Sequence, residues 1–131
     1  MDTPLVIHGK VKKHRQRGKE LGFPTANILL EKEIDEGIYV SLVEIDSASY
    51  PSLTFIGAAE TFGETEIHAE VYILSFDQDI YDKIITVKLL KKIRENIKFD
   101  TPEELVAQMK KDEKEAREYF EKRGPSGIVK E

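Results

Sequence analysis

The stretch from Gly9 to Asn27 has the residue types and spacing needed to hold a phosphorylated ligand. Gly18 and Gly22 make its middle flexible, and the stretch then passes into the compact run Phe23-Pro24-Thr25-Ala26-Asn27. Six cations fall within ten residues of a chain whose net charge is −5: Lys10, Lys12, Lys13, Arg15, Arg17 and Lys19. A local excess of positive charge attracts an anionic partner. We interpret this stretch as a loop that neutralises phosphates.

Thr25 and Asn27 have the chemistry of magnesium ligands. Proline restricts the local backbone and biases the chain to an extended form, in which residues two apart project from one face. A hydroxyl and an amide carbonyl then converge, and Mg²⁺ takes few such oxygen ligands besides water and substrate phosphates. The alternative is a turn with a side-chain cap beside a solvated basic loop, and spacing alone leaves both open.

Most of the segments that would position these residues are predicted to be strands. The candidate strands are Leu5–Val11, Ile38–Ile45, Leu53–Ala59 after a break at Pro51-Ser52, Ile67–Leu74, and Ile85–Ile93, which could also be a short helix. In Ile67–Leu74 the odd positions are apolar, whereas His68, Glu70 and Tyr72 share the other face. On composition alone, Glu70 is an ordinary solvent-facing glutamate.

A helix is predicted after the strands. Thr101 is a candidate N-cap, followed by Pro102 and an acidic first turn, and Glu104 completes a capping box. An apolar stripe follows at helical spacing, and Gly124-Pro125 ends it; the stripe comprises Leu105, Val106, Met109, Ala116, Tyr119 and Phe120. Short strands before one helix favour an antiparallel barrel or sandwich with the helix on its outside.

Composition narrows the class of protein. The 131 residues, 40% hydrophobic and 34% charged, fit one globular domain. No cysteine is present, which excludes disulfides and thiolate metal sites. No apolar run approaches the roughly 20 residues of a membrane span. The sequence also has no Gly-x-x-x-x-Gly-Lys-Ser/Thr motif, so a P-loop is not expected.

The run Leu21-Gly22-Phe23-Pro24-Thr25-Ala26-Asn27 resembles the signature of the riboflavin kinase (flavokinase) family, whose members stand alone or form the C-terminal domain of bifunctional riboflavin kinase/FAD synthetases. The likeness continues in order through about residue 120, including Thr61-Phe62-Gly63, Ala69–Leu74, Asp79-Ile80-Tyr81, Lys92-Ile93-Arg94 and Lys98-Phe99-Asp100. The resemblance implies an all-β fold: a six-stranded antiparallel Greek-key barrel with a C-terminal α-helix packed outside. It implies one domain over 1–131, with the barrel at about 5–99 and the helix at about 102–123.

The resemblance also implies roles for individual residues. Thr25 and Asn27 match the Mg²⁺-ATP ligands, and Glu70 matches the catalytic base. The other corresponding positions bind substrates in the family. They are His14 and Lys19 on the loop over the phosphates, Ile73, Ser75 and Tyr81 in the nucleotide pocket, and Arg94, Ile97 and Phe99 in the loop that closes over the flavin. The chain departs from the family at three positions, with His14 and Asp82 in place of glycines and Glu60 in place of a proline.

The implied reaction suits these residue types. The ribityl hydroxyl of riboflavin is a poor nucleophile, so a carboxylate such as Glu70 would accept its proton while Mg²⁺ and Lys19 stabilise the charge on the transferred phosphate. We expect a cytoplasmic monomer that acts on riboflavin and ATP without nucleic-acid or membrane partners, freestanding or joined to an FAD synthetase half. Two alternatives stay open: a non-catalytic flavin- or nucleotide-binding domain, and a nucleic-acid-binding barrel that uses the basic loop.

Overall fold

The computed structural model describes residues 5–12, 25–30, 34–61, 64–75 and 80–123, with only the backbone of 58–61, 64–66 and 123. These ranges form six strands and one helix. They are β1 (Leu5–Lys10), β2 (Ala26–Leu29), β3 (Gly37–Ile45), β4 (Ala48–Thr61), β5 (Glu64–Ile73), β6 (Ile84–Arg94) and α1 (Pro102–Arg123). This helix is not apolar enough to cross a membrane, and it is the one helix among the described residues.

The strands form one antiparallel sheet in the order β1-β6-β3-β4-β5-β2. Strands β3, β4 and β5 follow one another, and β6 returns to lie beside β3, which is the Greek-key arrangement. The sheet curls until its edges approach, where the Lys12 amide donates to the Asn27 carbonyl at 2.7 Å. The six-stranded Greek-key barrel with an external helix is confirmed.

The inner face of β5 shows why the barrel forms. Ala69, Val71 and Ile73 are buried at 0%, 1% and 6% exposure, and they belong to the cluster that fills the interior. The alternation predicted for Ile67–Leu74 is therefore confirmed. Near the closing edge, Gly9 faces Ile28 so closely that an added Cβ would collide with the Ile28 Cγ2. Only a residue without a side chain allows β1 and β2 to approach in this way.

Helix α1 packs on the outer face of the barrel. Its Ala116 and Phe120 join Val40 and Leu53 in a second apolar cluster between helix and sheet. The helix begins as the capping box predicts, because the Thr101 hydroxyl accepts from the Glu104 amide at 3.2 Å. The two clusters give β5 an apolar inner face, and an outer face that the helix covers in part.

Two features of the strands differ from the sequence-based expectation. Strand β4 begins at Ala48 and runs through Pro51, where a break was expected. The Pro51 carbonyl points toward β5, because it accepts from the Leu74 amide at 2.9 Å. In a strand the N–H and C=O of one residue point to the same side, so the N–H that Pro51 lacks would also point toward β5. The pairing of β5 with β4 ends at Ser52, next to Pro51. The β3–β4 ladder therefore loses no hydrogen bond. Strand β2 has only four residues, too few for a readable alternation.

Candidate active site

Strands β2 and β5 bring Thr25, Asn27 and Glu70 together. Asn27 lies directly opposite Glu70 in the antiparallel register, so the two side chains share a face of the sheet. Thr25 precedes β2 by one residue, and its Oγ1 donates to the Glu70 Oε1 at 3.3 Å. This hydrogen bond is longer than the about 2.7–2.8 Å typical of hydroxyl donors, so it holds the carboxylate only loosely.

The local sequence explains why these groups face outward. Ala26 and Ile28 point into the barrel, at 7% and 1% exposure, which turns Thr25 and Asn27 to the opposite face. Both polar residues are nevertheless buried, at 8% and 2% exposure. Buried polar groups need partners, and each of these two residues has one on β5.

His68 is the fourth polar residue of this group. It lies two residues before Glu70 on β5, on the same face, and its Nδ1 is 3.1 Å from the Asn27 Oδ1. Since Asn27 is opposite Glu70, the contact with His68 is a diagonal one across the strand pair. We call these four residues, Thr25, Asn27, His68 and Glu70, the β2–β5 polar cluster.

The β2–β5 polar cluster has a donor set that fits a magnesium ion. A hydroxyl, an amide carbonyl and a carboxylate are hard oxygen ligands, and Mg²⁺ uses one or a few of them together with substrate phosphates. Within the described part of the chain, no three His, Cys, Asp or Glu residues form a group that could hold a metal ion. The oxygen ligands that the cluster offers to a cation are those of Thr25, Asn27 and Glu70.

Arg94 lies at the end of β6, in the same cross-strand row as Glu70 and three strands away from it. Its Nε and its terminal Nη2 donate to the two carboxylate oxygens of Asp112 on α1, at 2.9 and 2.6 Å. Its Nη1 donates to the Glu95 carbonyl at 3.0 Å. Asp112 is 2% exposed and also accepts from the Gln108 amide. The structure thus places Arg94 against the helix rather than in the polar cluster.

The other residues expected to bind substrates lie in varied surroundings. Ile73 is a buried member of the barrel core. Ser75 has a left-handed backbone, with φ of 55°, and its hydroxyl accepts from Arg117 on α1 at 3.3 Å. Tyr81 and Ile97 are exposed, and Phe99 is half-buried. His14 and Lys19 lie outside the described residues.

Tyr72 connects the strand of Glu70 to the helix. It lies two residues after Glu70 on the same face of β5, and its hydroxyl donates to the Glu113 carboxylate at 2.9 Å. Burial, together with the hydrogen bond to Glu113 and the negative charge of that group, raises the pKa of Tyr72 to about 12. The tyrosine therefore stays protonated and keeps its hydrogen bond throughout the neutral range.

Sequence reasoning missed the partners of these residues. His68 was placed on the face of Glu70 without a role, although a spacing of two on a strand makes such residues neighbours. Asp112 is not part of the predicted apolar stripe of α1, yet it lies between Met109 and Ala116 at helical spacing. A carboxylate within a buried stripe indicates a charged partner, and this signal could have identified it.

Asp82 shows why a glycine is usual at its position. Its φ is 73°, in the left-handed region that glycine adopts without steric cost. Its amide donates to the Val11 carbonyl at 3.0 Å, and its carboxylate pairs with Lys10 at 3.1 Å. The aspartate therefore pairs with Lys10, the first of the six cations of the Gly9–Asn27 stretch, which lies at the end of β1 rather than in a loop. Glu60 lies within β4, opposite Thr65.

Comparisons with known proteins agree on one family. The family model described as riboflavin kinase (flavokinase) matches residues 1–120. A trifunctional protein RibF/MnmA of Mycoplasmoides gallisepticum is 41% identical over 97% of this chain and 20% of its own length. A bifunctional riboflavin kinase/FMN adenylyltransferase of Escherichia coli K12 is 35% identical over 89% of this chain and 38% of its own length.

Two solved structures have the same fold. A crystal structure described as a macrolide-efflux protein from Streptococcus pneumoniae has a TM-score of 0.81 at 38% identity, over 87% of this chain and 38% of that one. A riboflavin kinase from Trypanosoma brucei has a TM-score of 0.63 at 28% identity, over 89% of this chain and 80% of that one. The chain spans about a fifth to two fifths of the length of the curated relatives it matches. These comparisons favour neither of the two alternatives to a kinase.

Proposed function

Because this chain belongs to the riboflavin kinase (flavokinase) family, we propose that it transfers the γ-phosphate of ATP to the 5′-hydroxyl of riboflavin, giving FMN and ADP. The observation that carries this proposal is the juxtaposition of Thr25, Asn27 and Glu70 across β2 and β5. Three oxygen-bearing side chains on one face supply both a proton acceptor and cation ligands, and enzymes of phosphoryl transfer combine a residue that orients the nucleophile with a cation that neutralises phosphate charge.

Glu70 acts as the general base in this proposal. As the ribityl oxygen bonds to phosphorus, the hydroxyl proton passes to the Glu70 carboxylate, and the bond between the γ-phosphorus and the bridging oxygen breaks to release ADP. The Thr25 hydroxyl donates to Oε1 of that carboxylate, which leaves Oε2 to face the substrate. Ala69 and Val71 hold the β5 backbone in the core on either side of Glu70, which fixes where the Glu70 side chain leaves the sheet.

Thr25 and Asn27 would hold Mg²⁺ against the phosphates. The bound cation supplies Lewis-acid stabilisation of the charge that develops on the phosphate oxygens. The Thr25 oxygen can bind a cation through a lone pair while its O–H donates to the Glu70 carboxylate, because a hydroxyl has one donor and two acceptor sites. The pair therefore couples the position of the cation to the position of the base.

The remaining residues would form the two substrate subsites. We assign the phosphates to the basic stretch that contains His14 and Lys19, the nucleotide to the surface near Ile73, Ser75 and Tyr81, and the flavin to Arg94, Ile97 and Phe99. Arg94 would contact the flavin through the N–H groups that it does not use for Asp112 and Glu95. We place the protein in the cytoplasm, as a monomer or as part of a longer bifunctional chain like its relatives.

The test is product formation by pure protein. Incubation with riboflavin, ATP and Mg²⁺, followed by chromatographic separation of flavins, should yield FMN and no FAD. Omitting Mg²⁺, or replacing ATP with a non-hydrolysable analogue, should abolish FMN formation. Flavin binding without FMN in the complete mixture would contradict the kinase assignment and support the non-catalytic alternative.

A further inference from the structure

We propose that His68 is a positioning residue that holds the side-chain amide of Asn27 with its oxygen toward the cation. The inference rests on the proposed function, in which Asn27 is a magnesium ligand. It concerns a residue that no part of the proposed reaction uses directly. His68 belongs to the β2–β5 polar cluster and contacts Asn27, and the hydrogen bond between them is the observation that carries the role.

An asparagine needs such a partner if it is to bind a cation. Its amide has an oxygen that binds cations and an NH₂ group that repels them, and rotation about the last side-chain bond exchanges the two. The fixed contacts of Asn27 in β2 involve its backbone, including the carbonyl that accepts from Lys12 at 2.7 Å. These bonds fix the strand but do not determine which way the side-chain amide is turned.

The contact with His68 determines that orientation. The Nδ1 of His68 lies 3.1 Å from the Asn27 Oδ1, and an imidazole with its proton on Nδ1 donates to this oxygen. A carbonyl oxygen has two lone pairs, so Oδ1 can accept from His68 and bind a cation at the same time. Because Asn27 is only 2% exposed, little water is available to replace the histidine.

The proposed role makes a prediction at the level of single atoms. In histidine, Nδ1 is bonded to Cγ, and in asparagine the amide nitrogen is bonded to Cγ as well. His68→Asn therefore places a donor at nearly the same distance from the backbone, whereas His68→Ala removes it. Leu29 lies directly opposite His68 and is 38% exposed, so Leu29→Ala alters the same surface without touching the hydrogen bond.

The experiment measures magnesium-dependent ATP binding by calorimetry across a range of Mg²⁺ concentrations, with a thermal melt of each variant. We expect His68→Ala to raise the half-saturating Mg²⁺ concentration about 10- to 100-fold, as loss of a residue that orients a metal ligand typically does. His68→Asn and Leu29→Ala should stay within about threefold of the wild type. At saturating Mg²⁺, His68→Ala should recover most of the wild-type rate of FMN formation.

The outcomes separate this inference from the proposed function. Wild-type protein that binds ATP with magnesium, together with a His68→Ala variant that melts normally and binds equally well, would overturn the role of His68 alone. An equal rise in half-saturating Mg²⁺ for His68→Ala and His68→Asn would also overturn it, because the nitrogen donor bonded to Cγ would then make no difference. If ATP binding by the wild-type protein does not depend on Mg²⁺, the metal assignment is wrong and the role of His68 is wrong with it.

Discussion

The guanidinium of Arg94 and the carboxylate of Asp112 form a two-point ion pair between the end of β6 and the middle of α1. Their side chains are 15% and 3% exposed, so neither charge is well hydrated. A bidentate pair of an arginine and a carboxylate is among the strongest hydrogen-bonded arrangements in proteins, because both partners are charged and two parallel bonds fix their orientation. The pair fixes the helix relative to the strand that leads into the expected flavin loop.

Asp112→Ala should therefore destabilise the protein strongly. Removing one partner of a buried pair leaves the other charge without compensation, which costs about 3–5 kcal/mol. Urea denaturation followed by circular dichroism measures the change in the free energy of unfolding. As a matched control, Lys83→Ala breaks the exposed Lys83–Asp46 pair, which should be worth about 1 kcal/mol or less. Similar small losses in both variants would show that the Arg94–Asp112 pair does not hold the helix.

Tyr72 should make stability depend on pH in the alkaline range. Its pKa is raised from 10.0 to about 12 in the folded protein, so the folded state retains the proton after the unfolded chain has lost it. The stabilisation is fully present below pH 10 and is lost as the pH rises toward 12. Urea denaturation at several pH values should show a smaller loss over this window in Tyr72→Phe than in the wild type.

Absorbance titration at the tyrosinate band gives an independent measure. The protein has five tyrosines, and the titration curve of Tyr72→Phe should lack one tyrosinate transition that the wild type shows near pH 12. If the difference spectrum shows a transition near pH 10 instead, the Tyr72 hydroxyl is not buried and hydrogen-bonded to Glu113 in solution as it is in the structure.

Asp82→Gly should stabilise the protein slightly. A non-glycine residue in the left-handed region costs about 1–2 kcal/mol, whereas the exposed ion pair with Lys10 is worth about 1 kcal/mol or less. We expect the melting temperature to rise by about 2–4 °C. Lys10→Ala removes the same ion pair without relieving the backbone and serves as the control. A fall in melting temperature for Asp82→Gly would show that the carboxylate matters more than the backbone strain.

The sequence predicted those elements whose pattern is long enough to be periodic. The alternation in β5 and the capping box of α1 are both visible locally, because burial of one face and the cap of a helix are decided within a few residues. The predicted break at Pro51 is wrong because a proline interrupts a strand only where its missing N–H is needed for pairing. Whether it is needed depends on where β5 ends, which is a property of the sheet and not of β4. Strand β2 escaped detection as a strand for a similar reason, since its pairing with β5 defines it.

The candidate site was predicted in part. Thr25 and Asn27 were expected on one face because of the extended backbone after Pro24, but their approach to Glu70, 45 residues from Thr25, depends on the β2–β5 register. The hydrogen bond of His68 to Asn27 depends on the same register. The pairing of Arg94 with Asp112 requires a helix docked on the outer face of the sheet, and no local pattern specifies that docking.

Thr25 should be needed for the use of Mg²⁺ more than for folding. Thr25→Val keeps the shape of the side chain but removes the oxygen that would bind the cation and donate to Glu70. We expect the half-saturating Mg²⁺ concentration for FMN formation to rise about tenfold or more, as when a cation loses one of its few protein ligands. Thr25→Ser, which keeps the hydroxyl, should behave like the wild type. Equal activity of all three proteins at limiting Mg²⁺ would refute the metal assignment.

The most direct test of the proposed mechanism is the turnover of Glu70→Gln, measured as FMN formation at saturating riboflavin, ATP and Mg²⁺. Glutamine nearly matches glutamate in volume, and the core contacts of β5 come from Ala69 and Val71, so the variant should melt as the wild type does. Glutamine cannot accept the ribityl proton, and loss of a general base lowers the rate about 10²- to 10⁴-fold. We predict a loss in that range with flavin affinity nearly unchanged. A folded variant that turns over within about threefold of the wild type would contradict the assignment of Glu70 as the base.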